Sequence, residues 1–132
     1  MKKHGILNSD IARVLARMGH TDSIVIGDCG LPVPDHVELI DLALKLGQPG
    51  FLDTLEVILA DMQVERAVLA SECLDRNPAV AAKAQTLQES GIHVDYVSHE
   101  AFKQLCHKAK AVIRTGEASP YANIVLYSGV IF

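Results

Sequence analysis

The feature that most limits the fold of this chain is the apolar run Ile24-Val25-Ile26, closed by Gly27 and followed by Asp28-Cys29-Gly30-Leu31-Pro32-Val33-Pro34. Three consecutive β-branched residues fit a strand covered on both faces, not one with a wet side. Gly27 and Gly30 turn the backbone away. Pro32 and Pro34 keep the exit extended, because each proline also pushes its predecessor out of the helical region. His20 and Asp22 precede the run and Asp28 follows it, so titratable groups stand at both ends of one buried strand. An imidazole and a carboxylate beside a rigid strand–loop junction suit a site; they equally suit a helix-end histidine and a turn aspartate.

A strand covered on both faces needs helices on either side, and the rest of the chain supplies them. Asn8-Ser9-Asp10 is a run of helix-capping residues, and Ile11, Val14, Leu15 and Met18 follow at helical spacing, with Gly19 as the expected stop. Val37–Leu44 reads as a second strand. Leu52, Leu55, Val57, Ile58, Leu59 and Met62 make a broad apolar helix face after Phe51. Arg66–Ala70 is a buried strand, and Pro78 suits the first turn of a helix that runs to Gly91. Val94–Val97 alternates like a strand. Ser98 caps a helix with Phe102, Leu105 and Cys106 inward, and Ala111–Arg114 and Ile124–Tyr127 are apolar runs. Strands alternating with helices predict a single α/β domain over residues 1–132, a three-layer α/β/α sandwich with a largely parallel or mixed central sheet. In such sheets ligands gather beyond the carboxyl ends of strands. Asp28, Ser71-Glu72, Ser98-His99 and Thr115-Gly116 fall at such ends.

Composition narrows the function. Hydrophobic residues make up 49% of 132 residues, so other subunits are expected to cover part of that apolar surface. A net charge of −4 without a basic run argues against a nucleic-acid partner. No apolar stretch nears the roughly 18 residues of a membrane span. Lys2-Lys3 is not followed by the apolar core of a signal peptide. Cys29, Cys73 and Cys106 are odd in number and lack a C-x-x-C, which suits reduced thiols in a cytoplasmic protein.

The usual signatures of phosphate, dinucleotide and acyl-transfer sites are missing: no G-x-G-x-x-G opens a helix, and there is no Walker sequence or G-x-S-x-G. The six histidines show no H-x-x-x-H spacing, so neither a metal nor another cofactor is expected. What remains is His20, Asp28, His99 and the segment Ser119-Pro120-Tyr121-Ala122-Asn123. Each has an ordinary structural role open to it, as a solvated histidine or a turn residue. Together they offer an imidazole, a carboxylate, a phenol and an amide away from clustered cations, which suits a small polyhydroxylated ligand better than a phosphate.

These same residues carry a family resemblance. Met1–Asn8, Gly19-His20-Thr21-Asp22, Asp28–Pro34, Ser98-His99-Glu100 and Val112–Asn123 together resemble the D-ribose pyranases, sugar-ring isomerases related to fucose mutarotases. The resemblance runs nearly end to end. It implies interconversion of the pyranose and furanose forms of D-ribose, with His20 as the catalytic acid and Asp28, His99, Tyr121, Ala122 and Asn123 holding the sugar. It also implies a ring-shaped homo-oligomer, pentamer or decamer, with sites built between subunits. Cys29 and Ser119 depart from the alanine and threonine common in the family, and both changes leave the polar groups in place. A fucose-type mutarotase and a non-catalytic sugar-binding module are the competing readings.

Overall fold

The computed structural model describes residues 1–132. Its six strands are β1 (Ser23–Gly27), β2 (Glu38–Asp41), β3 (Val64–Ala70), β4 (His93–Val97), β5 (Ala111–Arg114) and β6 (Ile124–Ser128). They form one sheet in the order β2-β5-β1-β6-β3-β4. β1 pairs parallel with β5, β5 with β2, and β3 with β4. β6 runs antiparallel between β1 and β3 and joins the two parallel halves. The sheet is therefore mixed. The Ile24 run lies inside it with all of β1 buried, as its β-branched residues require.

Five helices cover the sheet: α1 (Ser9–Arg17), α2 (Phe51–Leu59), α3 (Cys73–Arg76), α4 (Pro78–Glu89) and α5 (His99–Cys106). The period-two alternation of the strands sorts them onto two faces. Ile24, Ile26, Ala67, Leu69, Ile113 and Leu126 pack with Ile11 and Val14 of α1, Phe51, Leu55 and Ile58 of α2, Cys73 of α3 and Val80, Ala84 and Leu87 of α4. The intervening Val25, Val68, Ala70, Val112 and Val125 pack with Phe102 and Cys106 of α5. This is the expected three-layer α/β/α sandwich. Each Ile or Val so buried stabilises the fold by about 1.5–3 kcal/mol.

The capping residues behave as their chemistry dictates. The Asn8 side chain accepts the Ile11 N–H at 2.9 Å, and Ser98 accepts the Ala101 N–H at 3.1 Å. Three details differ from expectation. α1 does not end through a left-handed Gly19; Met18 is already extended, and the left-handed step falls at Thr21, φ 71°. The Asp22 carboxylate, which accepts the Gly19 N–H at 2.9 Å, holds that tighter path. β2 is shorter than Val37–Leu44, because Asp41 folds back to accept the Ala43 N–H at 3.0 Å and ends the edge strand. The short helix α3 carries no periodic signal of its own. No helix is long and apolar enough to cross a membrane.

Candidate active site

β1, β3, β4 and β5 run in one direction and β6 in the other, so the start of β6 meets the carboxyl ends of its neighbours. Asp28, His99, Tyr121, Ala122 and Asn123 all converge there. Asn123 is wholly buried and exchanges two hydrogen bonds with Asp28: its Oδ1 accepts the Asp28 N–H at 2.8 Å, and its Nδ2 donates to Asp28 Oδ2 at 2.9 Å. Asp28 Oδ1 accepts the Gly30 N–H at 2.9 Å. Gly27 permits this approach, since a Cβ there would stand 2.7 Å from Leu31 Cδ2 and 3.1 Å from Asn123 Oδ1.

The rings of His99 and Tyr121 meet edge to face, 5.2 Å between centroids. His99 Nδ1 is buried without a hydrogen-bond partner. Glu72, just past β3, accepts the His99 backbone N–H on both carboxylate oxygens at 3.0 and 3.1 Å. That bond, with a second from its own backbone N–H, outweighs burial and holds Glu72 below the usual carboxylate range.

Tyr121 has φ 57°, a left-handed conformation uncommon for a residue with a Cβ. A polar buckle holds the loop that carries it. Glu117 accepts the Phe51 N–H at 3.0 Å, the Ser119 N–H at 3.2 Å and the Ser119 hydroxyl at 3.0 Å. The Asn77 amide donates to Ser119 Oγ at 3.0 Å and to the Pro120 carbonyl at 2.8 Å, while its oxygen caps α4. Burial works to raise the Glu117 carboxyl, but the N–H groups of Phe51, Ser119 and Ala118 and the Ser119 hydroxyl outweigh it and hold it low. Gly116 anchors the other side of the loop. A Cβ there would lie 2.4 and 2.5 Å from the carbonyl oxygens of Gln48 and Lys45. Gly116→Ala is thus expected to destabilise the fold by about 1–3 kcal/mol, the cost of overpacking against groups that cannot yield. A fall in Tm against wild type is the check.

His20 is elsewhere. It lies before β1, at the amino end of the sheet, and the five-residue strand separates it from the Asp28 group by roughly 16 Å. Its Nε2 meets Glu65 Oε2 at 3.0 Å, both side chains about half exposed. Beside it is a cleft of about 350 Å³ lined by Met18, Gly19, Gln63, Gly129 and the final residues Val130–Phe132. Ile131 and Phe132 are almost wholly exposed, at 89% and 100%. A single copy of the chain therefore assembles five of the six candidate residues and leaves His20 apart.

The similarity to known proteins runs over nearly the whole chain. The model of the RbsD / FucU transport protein family matches residues 1–131. The chain belongs to this family. Among the relatives of this RbsD/FucU family member, the D-ribose pyranase of Chromobacterium violaceum is 66% identical over 132 residues, the full length of both chains. The structure of Bacillus subtilis RbsD complexed with D-ribose superposes with a TM-score of 0.96 at 54% identity, covering 100% of each chain. The fucose mutarotase of Streptococcus pneumoniae, in complex with L-fucose, gives a TM-score of 0.81 at 28% identity over 99% of this chain and 100% of its own.

Three residues around the site escape a reading of local sequence: Glu72, Asn77 and Glu117. Ser71-Glu72 is legible as a strand end, but its hold on His99 comes from a strand neighbour 27 positions away. Asn77 is visible as a cap before Pro78, whereas its grip on Ser119 and Pro120 spans 42 and 43 positions. No group of three or more His, Cys, Asp and Glu side chains converges on one point as metal ligands would. The thiols stand outside the chemistry described. Burial pushes Cys106 up to about 11 and also raises Cys73, and Cys29 is exposed.

Proposed function

We propose that this protein is a D-ribose pyranase, an intramolecular isomerase that interconverts the pyranose and furanose forms of D-ribose and supplies furanose to ribose catabolism in the cytoplasm. The observation that carries the reading is the Asp28–Asn123 and His99–Tyr121 cluster at the sheet's carboxyl edge, in a chain 66% identical end to end to a D-ribose pyranase. The reaction needs only proton movements. The ring oxygen gains a proton and the anomeric hydroxyl loses one, which opens the ring to the aldehyde. The C4 hydroxyl then attacks that carbonyl in place of the C5 hydroxyl, and the furanose closes. An imidazole both gives and takes a proton near neutral pH, and this is the role proposed for His20. The Asp28 carboxylate accepts a hydrogen bond from a sugar hydroxyl. His99, Tyr121 and the backbone of Ala122 and Asn123 complete the hold on the ring.

His20 acts on a sugar bound by the far edge of another copy, since one chain keeps the two ends about a strand length apart. The exposed Val130–Phe132 tail beside His20 is the apolar surface that a neighbour covers. A closed ring, pentamer or a decamer of two rings, satisfies that arrangement for every subunit.

NMR saturation transfer between the pyranose and furanose signals of D-ribose tests the activity directly. The protein is expected to speed transfer well above the rate in buffer. Binding without faster transfer would leave a sugar-binding module. Faster anomer exchange of L-fucose with none for ribose would favour the mutarotase reading, which the 28% identity to the fucose enzyme supports less well.

A further inference from the structure

The surroundings of His20 are more elaborate than a surface histidine requires. β3 carries a β-bulge: Val64 pairs with Ser128 and Arg66 with Tyr127, so Glu65 is the extra residue. A bulge re-aims the side chain it carries, and here Glu65 reaches His20 Nε2 at 3.0 Å. Gly129 makes the space, since a Cβ there would lie 3.1 Å from Glu65 Cβ and 3.5 Å from its Oε2. On the other side, the His20 loop is clamped to the end of β6. The Thr21 N–H donates to the Ser128 carbonyl at 2.9 Å, and the Ser128 N–H donates to the Asp22 carbonyl at 2.8 Å. Thr21 holds a positive φ, 71°, to permit this. Left-handed backbone at a β-branched residue is strained and persists where the surroundings enforce it.

From this geometry we infer that Glu65 is a positioning residue for His20, fixing the imidazole so that Nδ1 is the nitrogen that exchanges a proton with the sugar. The inference rests on the proposed pyranase reaction. An ionised carboxylate can only accept a hydrogen bond, so the nitrogen it meets carries the hydrogen. With Nε2 committed to Glu65, the neutral ring presents Nδ1 as a bare acceptor. In the forward step, Nδ1 takes the anomeric hydroxyl proton. The ring oxygen takes a proton from water as the aldehyde opens. When the furanose closes, Nδ1 returns its proton to the carbonyl oxygen while the attacking C4 hydroxyl gives its proton to water, so no net proton is gained or lost. Glu65 itself touches no sugar atom in this scheme. Its work is orientation, as in other carboxylate–imidazole pairs.

The test is a pair of measurements on Glu65→Ala and Glu65→Gln. Long-range ¹⁵N correlation of the sugar-free protein reads the His20 tautomer. Wild type is expected to show a protonated Nε2 and a bare Nδ1. Glu65→Ala should show a mixture of tautomers, and Glu65→Gln, whose amide can donate or accept, an intermediate picture. Ribose saturation transfer at varied sugar concentration should show kcat lowered by about 10–100-fold in Glu65→Ala, less than removal of the imidazole costs, with KM within about twofold. An unchanged tautomer or an unchanged kcat in Glu65→Ala overturns the inference, and so does a change confined to KM. Glu65 is exposed, so the variants should fold; if Glu65→Ala does not, Glu65→Gln carries both readouts. A wild-type protein inert toward ribose would overturn the functional reading instead, and the tautomer comparison would then decide the pairing on its own.

Discussion

His20→Ala is expected to fold as wild type does and to lose ring interconversion by about 10²–10⁴-fold, the usual contribution of a positioned acid–base group. The structural side of this expectation rests on exposure. The His20 ring is half in solvent, and its one ion-pair partner, Glu65, is similarly exposed, so its removal costs the fold about 0–1 kcal/mol. The backbone path of the loop does not depend on the ring, because the Thr21 and Ser128 N–H groups and the Asp22 carboxylate hold it. The chemical side rests on what the Asp28 cluster lacks. Apart from His99, whose backbone is tied to Glu72 and whose Nδ1 is buried, it offers a carboxylate, a phenol and an amide. Ribose binding should therefore survive the substitution while exchange falls. The decisive comparison is saturation transfer at saturating ribose together with thermal unfolding of both proteins. Wild-type exchange in a folded His20→Ala protein would remove the imidazole from the mechanism.

The second large effect is a gain. Asp28→Ala should also be nearly inactive, since it removes the carboxylate and leaves the buried Asn123 Nδ2 without its acceptor, at a cost of about 1–3 kcal/mol that the fold tolerates. Co-expressed in equal amounts, His20→Ala and Asp28→Ala subunits should recover activity that neither has alone. If each site takes His20 from one subunit and Asp28 from its neighbour, random assembly in a closed ring makes about a quarter of the sites wild type. The physical basis is the length of β1, which holds the two residues at opposite ends of one rigid sheet. No loop movement bridges that distance without unfolding the strand. Exchange rates of the co-purified mixture, set against each variant alone, give the answer. A mixture as inactive as its components would mean that one chain completes its own site.

Much of this architecture follows from local chemistry. Ile24-Val25-Ile26 cannot sit on a half-wet strand, Asn8 and Ser98 satisfy helix N–H groups within three residues of themselves, and Pro78 starts α4. Such preferences act over one turn or one strand, so the α/β alternation and most element positions are readable along the chain. Asp28 and His99 are likewise legible at strand ends, and Tyr121-Ala122-Asn123 as turn residues leading into the Ile124 strand and as a family motif.

Strand order is a different matter, because it depends on partners far apart in sequence. Nothing local in Ile124–Ser128 says that it inserts antiparallel between β1 and β3, yet that placement brings Asn123 to Asp28 across 95 positions. The same tertiary pairing sends His20 to Glu65, 45 positions on, through a bulge that no periodicity marks. It also gives the apolar end of the chain two fates. Ile124–Leu126 are buried in the chain's own sheet, and Ile131 and Phe132 stay exposed beside His20. Side-chain identity selects the groups that do the chemistry; the sheet decides which of them meet, since an eight-residue separation is short along the chain and a full strand length across the fold.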